Sequence, residues 1–306
     1  MQNIFVHEVG PRDGLQVEKT IVPLEEKIRW VEGLLASGVD MIQLGSFVNP
    51  EKVPQMADTD ALFRHFAANK PSNVTFSGLV LNEKGLERGL ACGVEMFCMG
   101  VSASETHSRK NTGMSTGEAL SRIIPMAKQA MAAGKKVQAS VQSAFGCGFE
   151  GPVDPRKVLG IVRSYIDAGI QTISLADTAG HAQPRQVEEL YCTIQELYPD
   201  IELACHFHNT YGLGLANCYA ALQSGVTCFE SAFGGLGGCP FTKLPAGNVC
   251  TEDLVHSLQR MGLRQDIKLD VLLATARQVS TFFDRELPGF ILKSCSIVNF
   301  RLHTDH

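Results

Sequence analysis

The sequence predicts a closed (β/α)8 barrel, and three observations carry that prediction. Eight short β-rich runs are spread along the chain, amphipathic helical patterns separate them, and no Pro- or Ser-rich linker divides the series. Strand–helix alternation sustained eight times means a parallel sheet, either closed into a barrel or opened as a doubly wound sheet. The open, dinucleotide-binding version is weakened because no GxGxxG follows the first strand. The 306 residues suit one barrel of roughly 250 residues plus an extension. We therefore expect a single domain over residues 1–306, with a core of about 4–264 and a C-terminal helix and tail over 265–306.

The predicted strands are Ile4–Val9, Met41–Leu44, Val74–Leu81, Glu95–Val101, Lys136–Ser140, Thr172–Leu175, Glu202–His206 and Cys228–Ala232. Most are rich in Val, Ile or Phe, bounded by Gly, Asp or Asn, and nearly continuous in hydrophobicity, as fully buried parallel strands are. Between them, Leu24, Ile28, Val31, Leu34 and Leu35 recur at helical spacing after Pro23, and Gly38 ends the run. Ser115 with Glu118 forms a capping-box pattern before Ala119–Ala132. Asp154-Pro155 supplies an N-cap and a first-turn proline before Val158–Ala168. Gln186–Leu197, Leu215–Leu222 and Leu254–Met261 follow the last three strands, and Val271–Phe283 lies in the extension. The segment Leu287–His306 has two possible resting places, the barrel bottom or a neighbouring subunit.

Composition narrows the function. Apolar residues make up 44% and charged residues 19% of the chain, which excludes disorder as the dominant state. The balance of 27 Lys+Arg against 32 Asp+Glu, without a basic block, argues against nucleic acid as the main partner. No apolar run reaches the ~18 residues needed to span a membrane. The N-terminus lacks the charged and apolar regions of a signal peptide. Ten scattered cysteines with no CxxC pair read as reduced thiols, so the expected location is the cytoplasm.

In a barrel, polar residues at the C-terminal ends of the strands face the active site. Here those ends carry Arg12, Asp13 and Gln16 after the first strand, Gln43 and Ser46 on the second, and Gln138, Ser140 and Gln142 on the fifth. Asp177 ends the sixth, His206 and His208 end the seventh, and Cys239 and Asn248 follow the eighth. His206 and His208, two apart on a strand, point the same way. Alone, the pair fits two hydrogen-bonded core residues as well as a metal site. With Asp13 and the amide oxygen of Asn248 on the same rim, it forms a mixed N/O set suited to Mg, Mn or a similar divalent metal. Arg12 beside it is placed to hold a carboxylate or a developing enolate. Cys239 sits in the glycine-rich stretch Gly234–Pro240, where a thiol can exchange a proton on a mobile loop. No GK[ST] follows, so that stretch is not a P-loop.

Assembled in order, these motifs resemble the 3-hydroxy-3-methylglutaryl-CoA lyase family, within the metal-dependent lyase and acyl-transfer barrels that share an Arg-Asp at the first strand. The resemblance spans about residues 4–285. It runs through Glu8-Val9-Gly10-Pro11-Arg12-Asp13-Gly14-Leu15-Gln16, Ser46-Phe47-Val48, Val53-Pro54-Gln55-Met56, Ala103-Ser104-Glu105 and Lys110-Asn111. It continues through Asp177-Thr178, His206-Phe207-His208 and Thr210-Tyr211-Gly212, and closes with Gly235-Leu236-Gly237-Gly238-Cys239-Pro240, Gly247-Asn248 and Thr251-Glu252-Asp253-Leu254. The resemblance implies Asp13, His206, His208 and Asn248 as metal ligands, Arg12 at the enolate oxygen and Cys239 as catalytic thiol. It further implies Asp177 and Glu252 in support of proton transfer, with His206 also able to move a proton. The implied reaction is a retro-Claisen cleavage giving a keto acid and acetyl-CoA, in a protein that is a homodimer by the same resemblance.

Four departures concern the substrate region. Gln43 stands where the family usually has Glu, and Gln138-Ala139-Ser140-Val141-Gln142 replaces Arg-Gly-Tyr-Val-Ser. Cys147-Gly148 replaces Cys-Pro, and Asn209 stands where Asp is common. A pocket without that Arg and Tyr loses donors for a carboxylate and should handle the usual substrate poorly. The expected alternative is a related lyase or condensing enzyme for another hydroxy acid or acyl-CoA. A barrel kept only for binding is disfavoured by the intact set of Arg12, Asp13, both histidines, Cys239 and Asn248.

Overall fold

The structure is a computed structural model that describes residues 3–67, 70–238 and 247–294. Eight strands pair in parallel and close in sequence order: β1 (Phe5–Glu8), β2 (Met41–Ser46), β3 (Thr75–Leu79), β4 (Met96–Ser102), β5 (Lys136–Gln142), β6 (Thr172–Asp177), β7 (Glu202–Phe207) and β8 (Cys228–Ser231). The ring closes where β1 meets β8, with Phe5 opposite Cys228 and Glu8 opposite Ser231. All eight coincide with the runs predicted from sequence. A register shift between Gln43 and Gly45 bends β2 near its end.

Each strand alternates between two destinations. Val6, Ile42, Phe76, Val137, Ile173, Cys205 and Phe229 are buried in the layer between strands and helices. The opposite phase is polar and meets inside the barrel. His7 Nε2 reaches Ser77 Oγ at 2.7 Å across two strands, and Gln138 Nε2 reaches Glu230 Oε1 from β5 to β8. The barrel interior is thus a hydrogen-bonded polar layer rather than the packed aliphatic one common in this architecture.

The helices are α1 (Leu24–Ser37), α2 (Thr59–Ala67), α3 (Glu83–Ala91), α4 (Glu105–Thr112), α5 (Thr116–Ala132), α6 (Pro155–Asp167), α7 (Pro184–Leu197), α8 (Gly214–Gln223), α9 (Thr251–Arg260), α10 (Leu269–Phe283) and the short α11 (Phe290–Ser294). The cap signals act as read: Gly38 ends α1 at φ 90°, Ser115 and Glu118 close a reciprocal capping box, and Asp154 accepts from Arg156 N. Four helices, α2 to α4 and the short α11, escape the spacing argument. In α3 the buried face includes glycines: a Cβ on Gly85 would lie 2.6 Å from Phe47 O, and one on Gly89 2.5 Å from the Phe97 ring. A helix that packs by close backbone approach shows only a thin apolar stripe.

The C-terminal helix is not an appendage. α10 lies along α1 so closely that a Cβ on Gly33 would meet Thr275 Oγ1 at 2.2 Å, and Trp30 packs edge-on against Phe282 with centroids 5.4 Å apart. After Asp284 the chain climbs to the catalytic rim, not to the barrel bottom. Leu287 is buried against Gly234, and the carboxylate of Asp253 accepts from Phe290 N and Ile291 N at 2.9 and 2.8 Å.

Candidate active site

A cavity of about 900 Å3 opens at the C-terminal ends of the strands. Its floor is set by the turn after β1. Val9 O accepts from Arg12 N and Asp13 N at 3.1 and 2.7 Å in a single π-type turn, Gly10–Gly14, that carries both side chains over the mouth. Arg12 Nη1 then donates to Asp13 Oδ1 at 2.6 Å, and its Nε donates to Gln43 Oε1.

From β7, His206 and His208 enter the same space. Their Nε2 atoms are 3.2 Å apart, and Asp13 Oδ2 lies 3.8 Å from the first and 4.0 Å from the second. The three donor atoms enclose a point about 2.1 Å from each, the distance at which Mg2+-like cations take their ligands. Asn248 joins through an isolated bridge between its backbone and that of His208. Its Nδ2 donates to Asp13 Oδ2 at 2.8 Å and to Leu236 O at 3.0 Å, while its Oδ1 is buried with no hydrogen-bond partner. An unpartnered buried amide oxygen beside two imidazoles and a carboxylate fits a cation with mixed N/O ligation.

The electrostatics agree. Burial alone would raise the pKa of Asp13, but the Arg12 guanidinium and the two imidazoles outweigh it and hold the carboxyl well below its ordinary range. Burial lowers His208 to about 4, helped by the neighbouring His206. Burial also acts to lower His206, yet the Glu230 carboxylate and then Asp13 raise it. Glu230 is held down to about 2: burial acts to raise it, and the His206 hydrogen bond and charge prevail.

Other expected site residues divide into groups. Gln16, Ser140 and Gln142 line the cavity with Arg12, Asp13 and the histidines. Gln43 and Gln138 do not; they stand behind it, bonded to Arg12 and Glu230. Ser46 is fully buried, with Oγ 3.5 Å from Leu79 O. Asp177 and Glu252 are not brought to the cavity, for a structural reason. Asp177 lies on the phase of β6 opposite to the cavity-lining Ser174 and Ala176, and its carboxylate accepts from His181 N and Ala182 N at 2.8 and 3.1 Å. Glu252 opens α9 and accepts from Gly234 N at 2.9 Å and Cys250 Sγ at 2.5 Å. Burial raises Asp177 to about 6 and Glu252 to about 7. Cys239 lies outside the described residues. His206 Nδ1 is engaged by Glu230 at 2.8 Å. Only Nε2 is left for a cation or for a proton, and it cannot serve both at once.

Glu230 was missed from sequence. The signal was there: it is the one acid in the eighth strand, in the same phase as Cys228 and opposite to Phe229 and Ser231. At the mouth, Lys52, Lys84, Arg88 and Arg122 add a basic rim. Arg88 is braced by Asp60 at 2.9 Å and Arg122 by Glu83.

Fold and site together define a (β/α)8 barrel with a carboxylate–bis-imidazole cluster of a size to take one cation and a guanidinium beside it. Comparison with known proteins makes this specific. The family model HMGL-like matches residues 3–279. A hydroxymethylglutaryl-CoA lyase of Bacillus subtilis is 37% identical over 94% of this chain and 96% of its own. An (R)-citramalyl-CoA lyase of Chloroflexus aurantiacus is 37% identical over 96% and 95%. The solved structure of an HMG-CoA lyase from Acinetobacter baumannii in complex with coenzyme A and 3-methylmalate superposes with a TM-score of 0.91 at 35% identity, covering 97% of this chain and 96% of that one. The chain belongs to the HMGL-like family and is a carbon–carbon lyase. No helix among the described residues is long and apolar enough to cross a membrane.

Proposed function

We propose that this protein cleaves a 3-hydroxyacyl-CoA of the 3-hydroxy-3-alkylglutaryl type into a keto acid and acetyl-CoA, with Mg or Mn held by Asp13, His206, His208 and Asn248. The observation that carries the reading is the Asp13–His206–His208 triangle, sized for one cation and set beside Arg12 in the cavity. A bound divalent cation supplies Lewis acidity that makes a substrate hydroxyl easier to deprotonate. The chain's own residues do the rest. Arg12, held between Asp13 and Gln43, donates to the thioester oxygen as the carbon–carbon bond breaks and negative charge gathers there. Cys239 returns a proton to the enolate carbon, and its thiolate regains, through water in the cavity, the proton that the hydroxyl gave up, so the thiol ends the cycle as it began; its support is its place in the Gly234–Pro240 sequence. Lys52, Lys84, Arg88 and Arg122 suit the phosphates of coenzyme A at the mouth. Asp177 and Glu252 act at a distance in this reading: they hold the backbone of two rim loops and do not touch substrate.

A second reading concerns the substrate alone. Ser140 and Gln142 line the cavity where the resemblance places Tyr and Ser, and Gln138 behind them stands where it places Arg, so the fifth strand offers no cation to a substrate carboxylate. A wall of this kind suits a hydroxyacyl-CoA other than the methylglutaryl parent; one relative 37% identical to this chain is named (R)-citramalyl-CoA lyase. We propose in addition a homodimer in the cytoplasm. The free thiols among the described cysteines support a reducing compartment. The test is a panel of 3-hydroxyacyl-CoAs incubated with Mg or Mn, with products read by mass spectrometry. Release of acetyl-CoA or a homologous acyl-CoA from at least one member is expected, and none from any would overturn the reading. Ser140→Tyr with Gln142→Ser should raise cleavage of 3-hydroxy-3-methylglutaryl-CoA if the wall sets the preference.

A further inference from the structure

We infer that Glu230 is a positioning residue of the cation site: it locks His206 in the tautomer that carries its proton on Nδ1 and turns a bare Nε2 toward the cation, while Gln138 locks Glu230. The inference rests on the metal-dependent reading above and asks how this chain prepares its site.

Glu230 and His206 are register partners on adjacent strands, β8 and β7, both in the inward phase. Their hydrogen bond, Nδ1 to Oε2, is 2.8 Å long and buried. An ionised carboxylate only accepts, so the imidazole Nδ1 must donate. With the proton fixed there, Nε2 keeps its lone pair and faces His208 Nε2 and Asp13 Oδ2. The other oxygen of Glu230 accepts from Gln138 Nε2, which reaches it from β5. The carboxylate is thereby pinned at both ends and cannot turn away. Gln138 is neutral, so the charge of Glu230 is left to act on His206 and whatever His206 binds. His208 is held differently. Its Nδ1 is buried without a hydrogen-bond partner, and its backbone bridges that of Asn248. The site thus has one imidazole oriented by a carboxylate and one oriented by the chain itself. Removal of an outer partner of a metal-binding histidine costs about 10–100-fold in metal affinity.

The experiment uses the full chain and Mn2+ or Mg2+ as the probe. Dissociation constants are measured by calorimetry for wild type, Glu230→Ala and Glu230→Gln. The histidine tautomers of the metal-free protein are read, at a pH high enough for His206 to be neutral, from long-range nitrogen–proton NMR spectra of histidine-labelled samples, with His206 assigned through His206→Gln. Glu230→Ala should bind about 10–100-fold more weakly, with His206 passing from a pure Nδ1–H form to a mixture and His208 unchanged. Glu230→Gln can still accept from Nδ1 if its amide and that of Gln138 both turn over. It should therefore keep the tautomer and lose about 3–10-fold in affinity, a smaller effect than full removal. If Glu230→Ala fails to fold, Glu230→Ser, whose short side chain cannot reach Nδ1, decides: wild-type affinity in it overturns the proposal. Wild-type affinity in Glu230→Ala, or an unchanged His206 tautomer, overturns it as well while leaving the metal site standing. A wild-type protein that binds neither cation sinks the metal-dependent reading itself.

Discussion

Gly33→Ala tests the claim that the last long helix is part of the barrel wall. The new methyl would sit 2.2 Å from Thr275 Oγ1 and 3.3 Å from both Cβ and Cγ2 of the same residue. Rotating Thr275 gives no relief, because its hydroxyl already bonds Val271 O at 3.0 Å and its methyl is as close as its Cβ. The α1–α10 pair must therefore spread by about 1 Å. Overpacking of this kind costs about 1–3 kcal/mol, and the helical preference of Ala over Gly returns about 1 kcal/mol at most. The expected net loss is up to about 2 kcal/mol, or a fall in Tm of up to about 8 °C. Urea unfolding of Gly33→Ala, Thr275→Ala and the double variant forms the assay. The two substitutions must be coupled, since Thr275→Ala removes the atoms that the new methyl meets. A double variant whose loss equals the sum of the two single losses would refute the close approach and the placement of α10 against α1.

Further outcomes concern the site and the core. Wild-type protein in hundredfold excess of Mn2+ or Mg2+ over Kd should gain about 2.7 kcal/mol, about 5–10 °C in Tm; Asp13→Ala should show no such gain, and an equal gain in the variant would remove Asp13 from the cation site. Cation affinity should rise with pH. His206 must be neutral to ligate, and although burial acts to lower its pKa the Glu230 and Asp13 carboxylates raise it, so affinity should climb by up to about tenfold per pH unit while the imidazole is protonated and level off once it is neutral. An affinity independent of pH between 6 and 7 would contradict this. Glu8 is buried and its pKa is raised to about 8 from 4.5 by burial. The native state therefore holds a proton that the unfolded chain has lost, and stability should fall as pH rises from about 4.5 to about 8. Glu8→Gln should flatten that slope in urea midpoints, although Glu252, raised to about 7, keeps part of it; an unchanged slope would assign the effect elsewhere.

The strands were legible because each is short, β-branched or aromatic, and bounded by turn residues, so all eight stand where their sequence places them. The rim was legible for Asp13, His206 and His208 because strand ends carry the site in this architecture. What the strand reading lost was phase. Described as nearly continuous apolar runs, the strands conceal an alternation in which His7, Gln43, Ser77, Gln138, Ser174, His206 and Glu230 share the inward side. Reading that alternation would have found Glu230; Gln43 and Gln138 share the cavity's phase but lie deeper along their strands, in the layer beneath. It would also have turned Asp177 away from the cavity. Gln16, Ser140 and Gln142 are at the cavity because they lie on the correct side of turn or strand. The position of Leu287 was beyond sequence reasoning, since its burial depends on Gly234, more than fifty residues earlier.

Glu8 joins the two ends of the barrel. Its Oε1 accepts from Gly10 N at 2.7 Å and Phe233 N at 3.0 Å, and its Oε2 accepts from Thr251 Oγ1 at 2.6 Å. Two of those donors emerge from a ribosome more than two hundred residues after Glu8 itself. Until then a nascent chain holds a carboxyl whose burial site does not yet exist, and its opening strand has only one neighbour. Half-length fragments of this protein should therefore be poor folders and sticky ones, and completion of the ring should come late, in one cooperative step near the end of synthesis.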